Sequence, residues 1–153
     1  MAGRRNEGQQ WTRDRKIAAY ERFLQSFTAV EIGMCHAYWE ERDPEGVDWE
    51  EWNAALVSVS LVADSDTGTA AVELCAAIEE FSAFPFGEPK DLQILRQILG
   101  KLDAAQRNFV RAARRSLHPS GKQQVPWRLG GPPSWSDVEK IHQRDNDLGR
   151  VIS

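Results

Sequence analysis

The sequence predicts an all-α protein: an antiparallel up-down-up-down four-helix bundle with a Pro/Gly-rich C-terminal arm and a short tail helix. Three observations predict it. Apolar residues recur at helical spacing in four stretches between Trp11 and His118. Turn signals of a few residues separate these stretches, which sets neighbouring helices antiparallel. Opposite charge gathers at the two ends that such a bundle has. The expected layout is a polar segment over 1–10, the bundle over 11–118 and the arm with its helix over 119–153.

The first helix is expected from about Trp11 to Glu41. Ile17, Tyr20, Phe23, Leu24, Phe27, Val30, Met34, Cys35 and Tyr38 share one arc of its wheel. Pro44 disfavours helix at Asp43, and residues 41–46 read as a turn. The second helix is expected from about Asp48 to Ala63. Asp48 and Glu51 resemble a capping pair. Trp52, Ala55, Leu56, Val59, Val62 and Ala63 form its inner stripe. Leu56 to Val62 is rich in valine and serine, so a strand competes there; the flanking pattern favours helix.

Asp64 to Gly68 reads as a turn. The third helix then runs from about Thr69, a plausible N-cap, to Phe84. Ala71, Leu74, Cys75, Ile78 and Phe81 lie on one face. The fourth helix is expected to start near Pro89, because proline suits a first helical position. Its stripe is Leu92, Leu95, Ile98, Leu99, Leu102, Phe109, Val110, Ala113 and Leu117. His118-Pro119-Ser120-Gly121 stops it. Beyond lie Pro126, Pro132, Pro133 and several glycines, then a short helix carrying Val138, Ile141 and Leu148.

A chain of 153 residues, 41% hydrophobic and 27% charged, is of ordinary size and composition for one globular domain. The net charge of −4 argues against a dedicated nucleic-acid binder, although a local basic patch fits within it. Residues 1–10 lack the apolar core of a signal peptide. The longest mostly apolar run, Ala54–Ala63, is short of the ~20 residues that a spanning helix needs. A cytoplasmic location is expected. Cys35 and Cys75 read as small core residues of a reducing compartment.

Helix one opens with Trp11-x-x-Asp14-Arg15-Lys16-x-x-x-Tyr20-x-x-Phe23-Leu24, and helix four closes with Phe109-Val110-Arg111-Ala112-Ala113-Arg114-Arg115-Ser116-Leu117. Over 11–118 the chain resembles a loosely defined group of uncharacterised actinobacterial helical-bundle proteins. The resemblance implies a helical bundle and brings no known chemistry. Many of that group place a membrane-spanning helix before the first bundle helix, whereas residues 1–10 here are polar.

Chemistry-bearing residues are sparse. Glu31 falls inside the apolar arc of helix one, where a carboxylate must be paired, protonated or metal-bound. Pairing with Arg96 or Lys101, or reach to water, is the plainer reading. His36, His118 and His142 sit in separate elements without zinc spacing. The one Glu-x-x-His, Glu139 to His142, lies in the tail. Trp39, Trp49 and Trp52 cluster among acids around one turn. Such rings can hold a cation, but closing the top of the core is the simpler role. No phosphate loop or nucleophile elbow is present. The residues imply no cofactor, no metal and no catalytic set.

The charge pattern is more informative. One end of the bundle gathers more than half of the 19 basic residues, among them Arg13, Arg15, Lys16, Arg111, Arg114 and Arg115. The other end gathers Glu40, Glu41, Asp43, Glu45, Asp48, Glu50 and Glu51, with Glu79, Glu80, Glu88 and Asp91. Helix dipoles account for the arginines that end helix four. They do not account for Arg13, Arg15 and Lys16, which stand at a helix start. Trp127 and Trp135 are large aromatics in a Pro/Gly-rich arm, which anchor it on this bundle or on another chain.

The expected function is therefore non-enzymatic: an interaction or regulatory module with a protein partner. The alternative is binding of an anionic surface, membrane headgroups or nucleic acid, through the basic end. An enzyme or metal-binding bundle comes third. Arg13, Arg15, Lys16, Arg111, Arg114, Arg115, Trp127 and Trp135 are the candidate partner-binding residues. Oligomeric state is left open.

Overall fold

Helical spacing in the sequence becomes burial in space. Tyr20, Phe23, Phe27, Val30, Met34 and Tyr38 all point inward from one stripe of the first helix. In the computed structural model, which describes residues 2–118, four helices follow in order. They are α1 (Ala2–Trp39), α2 (Trp49–Val62), α3 (Ser65–Ser82) and α4 (Leu92–Leu117). They form an all-α four-helix bundle with up-down packing. The expected arm and tail helix over 119–153 lie outside the described residues.

The helices pack as two hairpins. α1 lies closest to α2 and α3 closest to α4; the hairpins meet more loosely. α1 and α4 run antiparallel from end to end. At one end Asp91 N–H donates to Tyr38 Oη at 3.0 Å, and that hydroxyl donates to the Asp91 carbonyl at 3.2 Å. Midway, Phe23 meets Phe109 edge-on at 4.9 Å. At the far end Lys16 Nζ donates to Ser116 Oγ at 3.2 Å.

Phe23, Phe27, Phe81, Phe109, Met34, Leu74, Ile78 and Leu102 are fully buried. Two aromatic groups hold the core. Phe23 stacks on Trp52 at 5.1 Å and Tyr20 meets Phe109 at 5.8 Å. Near the α3–α4 connection, Phe86 packs on Tyr38 at 5.9 Å and on Phe81 at 5.5 Å. Each pair adds to area burial by ring geometry. Leu56 to Val62 is helical, as the flanking pattern favours over a strand.

Helix boundaries differ from the sequence expectation in four places. α1 begins at Ala2, so residues 2–10 are helix rather than a separate polar segment. Ala2, Arg4, Arg5, Glu7, Gln9 and Gln10 are good helix formers that offset Gly3 and Gly8, and no proline precedes Pro44. α1 ends at Trp39, after which Glu41 takes a positive φ of 55°. The Asp64–Gly68 turn is absent: Asp64 itself caps α3, accepting from Thr67 N–H at 3.3 Å. Aspartate is the stronger cap, and Thr69 Oγ1 instead donates back to Ser65 O at 2.8 Å. α4 starts at Leu92, not near Pro89, because Asp91 accepts from Gln93 and Ile94 N–H.

Candidate functional site

The basic end forms where the antiparallel α1–α4 register brings it together. Arg13 Nη2 donates toward the His118 ring, 3.0 Å from Nε2 and 3.2 Å from Nδ1. Lys16 reaches Ser116, and the Arg15 guanidinium lies 4.8 Å from the Trp11 ring centroid. Arg111 and Arg115 are exposed and Arg114 is half-buried. None of these six cations pairs with a described carboxylate. Arg13 and Lys16 thus tie α1 to the end of α4 through His118 and Ser116. Trp127 and Trp135 lie outside the described residues.

Glu31, inside the apolar arc of α1, is fully buried rather than reaching water. Lys101, one of its expected partners, pairs instead with Glu80 of α3 at 2.6 Å. Burial of polar groups extends to Ser26, Thr67 and Gln106, none of which the apolar stripes mark. Among the described residues, no group of three or more His, Cys, Asp or Glu side chains converges. His36 and His118 are exposed and far apart in the fold; His142 is outside the described residues. Cys35 and Cys75 are both half-buried, and neither is in a disulfide. Burial, with Glu79 nearby, pushes the Cys75 thiol up to about 11, which disfavours the nucleophilic thiolate.

The tryptophans divide. Trp52 is core, Trp49 is exposed, and Trp39 takes the Lys90 ammonium at 5.2 Å from its ring. At the α1–α2 seam a cleft of about 320 Å³ is lined by Arg22, Gln25, Ser26, Val47 and Glu51, among others. Arg22 crosses beside it. It donates to both Glu51 carboxyl oxygens, at 2.8 and 3.1 Å, and to Ser58 at 3.1 Å. The hydrogen bond from this guanidinium holds the Glu51 carboxyl below the usual carboxylate range. Gly33 lets the turn approach, since a Cβ there would sit 3.3 Å from Val47 Cγ2.

The strongest surface feature lies on the other side of α2. Leu61 is 75% exposed and Val57 57% exposed; on α3, Val72 is 65% exposed. At about 100° per residue, Val57 and Leu61 stand nearly opposite the buried stripe of Trp52, Ala55 and Val59. Between Glu51 and Asp64 the chain carries no charge. α2 is therefore apolar on its outer face as well as its inner one. A surface helix ordinarily turns a charged face to water. Sequence reasoning assigned the inner stripe and passed over Val57 and Leu61. The signal was present as apolar residues left off that stripe.

No helix among the described residues is long and apolar enough to cross a membrane. No family model matches the chain, and no curated protein or solved structure matches it.

Proposed function

We propose that the chain is a non-enzymatic protein-interaction or regulatory module acting in the cytoplasm, and that its resemblance over 11–118 to actinobacterial helical-bundle proteins reflects kinship. The observation that carries the reading is the outer face of α2, with Leu61 and Val57 standing in water on a helix already apolar within. Exposed apolar surface is costly, at roughly 25 cal/mol per Å², and a partner that covers it gains that energy.

The test is affinity capture from the native host with three baits. Wild type should retain a stoichiometric protein. Val57→Ser with Leu61→Ser should lose it and melt unchanged, because both positions are exposed. Arg111→Glu with Arg114→Glu and Arg115→Glu should retain it. Capture that ignores the α2 changes would refute the reading.

A second reading rests on the six cations that lack a described carboxylate partner. They suit an anionic surface: membrane headgroups or nucleic acid. Capture lost only in the triple arginine variant, and weakened by salt over a Debye length of ~8–10 Å, would favour it.

A further inference from the structure

Between Arg42 and Lys90 the chain has no Lys or Arg. Every charge on α2, α3 and the turns joining them is negative. Helix dipoles do not require this. The last turns of α2 and α3, where cations are favoured, hold no base. α3 instead ends on Glu79 and Glu80, where the dipole disfavours acids. Among the described residues, bases are kept to α1, α4 and the turn residues Arg42 and Lys90. The apolar outer face of α2 thus lies in the acidic layer of the bundle.

Contacts fix how that face is arranged. Glu51 and Ser58 accept from Arg22, so their flank of α2 faces α1. Glu80 accepts from Lys101, so its flank of α3 faces α4. On the helical wheels Val57 faces outward, away from the core stripe of α2, and Val72 leans toward α2. The two-residue turn Ala63–Asp64 sets them at similar distances from it. Leu61 lies nearer the turn. Glu50 and Glu79, both exposed, stand at the far end of this strip, and exposed Asp64 lies in the turn. The result is an apolar centre with carboxylates at both ends.

Resting on the interaction reading above, we infer that the outer face of α2 and α3 receives a basic amphipathic helix from a partner protein. Apolar side chains at i, i+3 or i+4, and i+7 cover Val57, Leu61 and Val72. Lysines or arginines flanking them meet Glu50, Glu79 and Asp64. A second copy of this face is a poor occupant. Antiparallel self-pairing of α2 sets Glu50 against Asp64 of the other copy, acid on acid.

The test measures fluorescence anisotropy of labelled amphipathic peptides titrated with the full chain. One peptide has leucines at i, i+3, i+4 and i+7 and lysines elsewhere; a second has glutamates in place of lysines. The lysine peptide should bind at least about tenfold more tightly. Val57→Ser with Leu61→Ser should weaken it about tenfold or more, and Glu50→Lys with Glu79→Lys should erase the preference for lysine. Equal binding of the glutamate peptide, or indifference to the Val57 and Leu61 changes, overturns the inference. So does a dimer in sedimentation that Leu61→Ser dissociates, which assigns the face to a second copy. So does a photo-crosslinker at position 61 that reacts within its own chain with residues 119–153. Loss of native capture on Val57→Ser with Leu61→Ser, without affinity for the lysine peptide, sinks the basic chemistry alone and leaves the interaction reading standing.

Discussion

Leu99 and Leu102 belong to the same α4 stripe, yet the core treats them differently. Leu102 is wholly buried, while Leu99 packs on the core from its edge. Leu102→Ala should therefore cost about 2–5 kcal/mol, and Leu99→Ala clearly less, in urea unfolding of both variants. Equal losses would mean that α4 is rotated from the orientation described. The Arg22–Glu51 pair gives a test at the same scale. Its folded-state carboxyl is held low, so its contribution is present above the ordinary glutamate value and lost as pH falls through the lowered one. The pair is exposed and salt weakens it. Arg22→Met should move the Glu51 titration, followed by NMR, upward toward an unperturbed glutamate. The 3.6-residue spacing marked the buried aromatics Tyr20, Phe23, Phe27, Phe81 and Phe109, but its stripes also named Ile17, Leu24, Leu99 and Val110, which are half-buried. It placed Glu31 inside an apolar arc without deciding its burial, and it did not mark Thr67 or Gln106. Polar residues enter a core through particular neighbours, which a pattern of apolar spacing does not contain.

Helix existence was legible and helix ends were less so. All four stripes became helices, including the valine- and serine-rich α2. The ends depend on which of several local caps is used. Asp64 captured the start of α3 ahead of Thr69, and Asp91 set α4 ahead of Pro89. α1 gained its first nine residues because nothing in them stops a helix. One consequence concerns Gly100, in the interior of α4. A Cβ there meets nothing within 4 Å. Gly100→Ala should stabilise the protein by about 0.5–1 kcal/mol, through helix propensity and a less flexible unfolded chain. Thermal melts should show a higher midpoint for this variant. Gly33→Ala should bring no such gain, since its Cβ would press on Val47. A destabilised Gly100→Ala would mean that some other part of the chain covers that face of α4.

Across the whole molecule, charge and apolar surface are sorted together. The basic end was legible from the antiparallel order of the helices, and Arg13 and Lys16 meet α4 where that order puts them. The apolar outer face of α2 needed the structure. Its residues follow helical spacing as well as the inner ones do, and only packing shows which stripe is covered. On the reading proposed above, this face, rather than the basic end, contacts a protein. A photo-crosslinking residue placed at position 61, and separately at position 111, and irradiated in the native host tests that choice. An intermolecular adduct with another protein is expected from position 61 and none from position 111. An adduct from position 111 alone would contradict that reading.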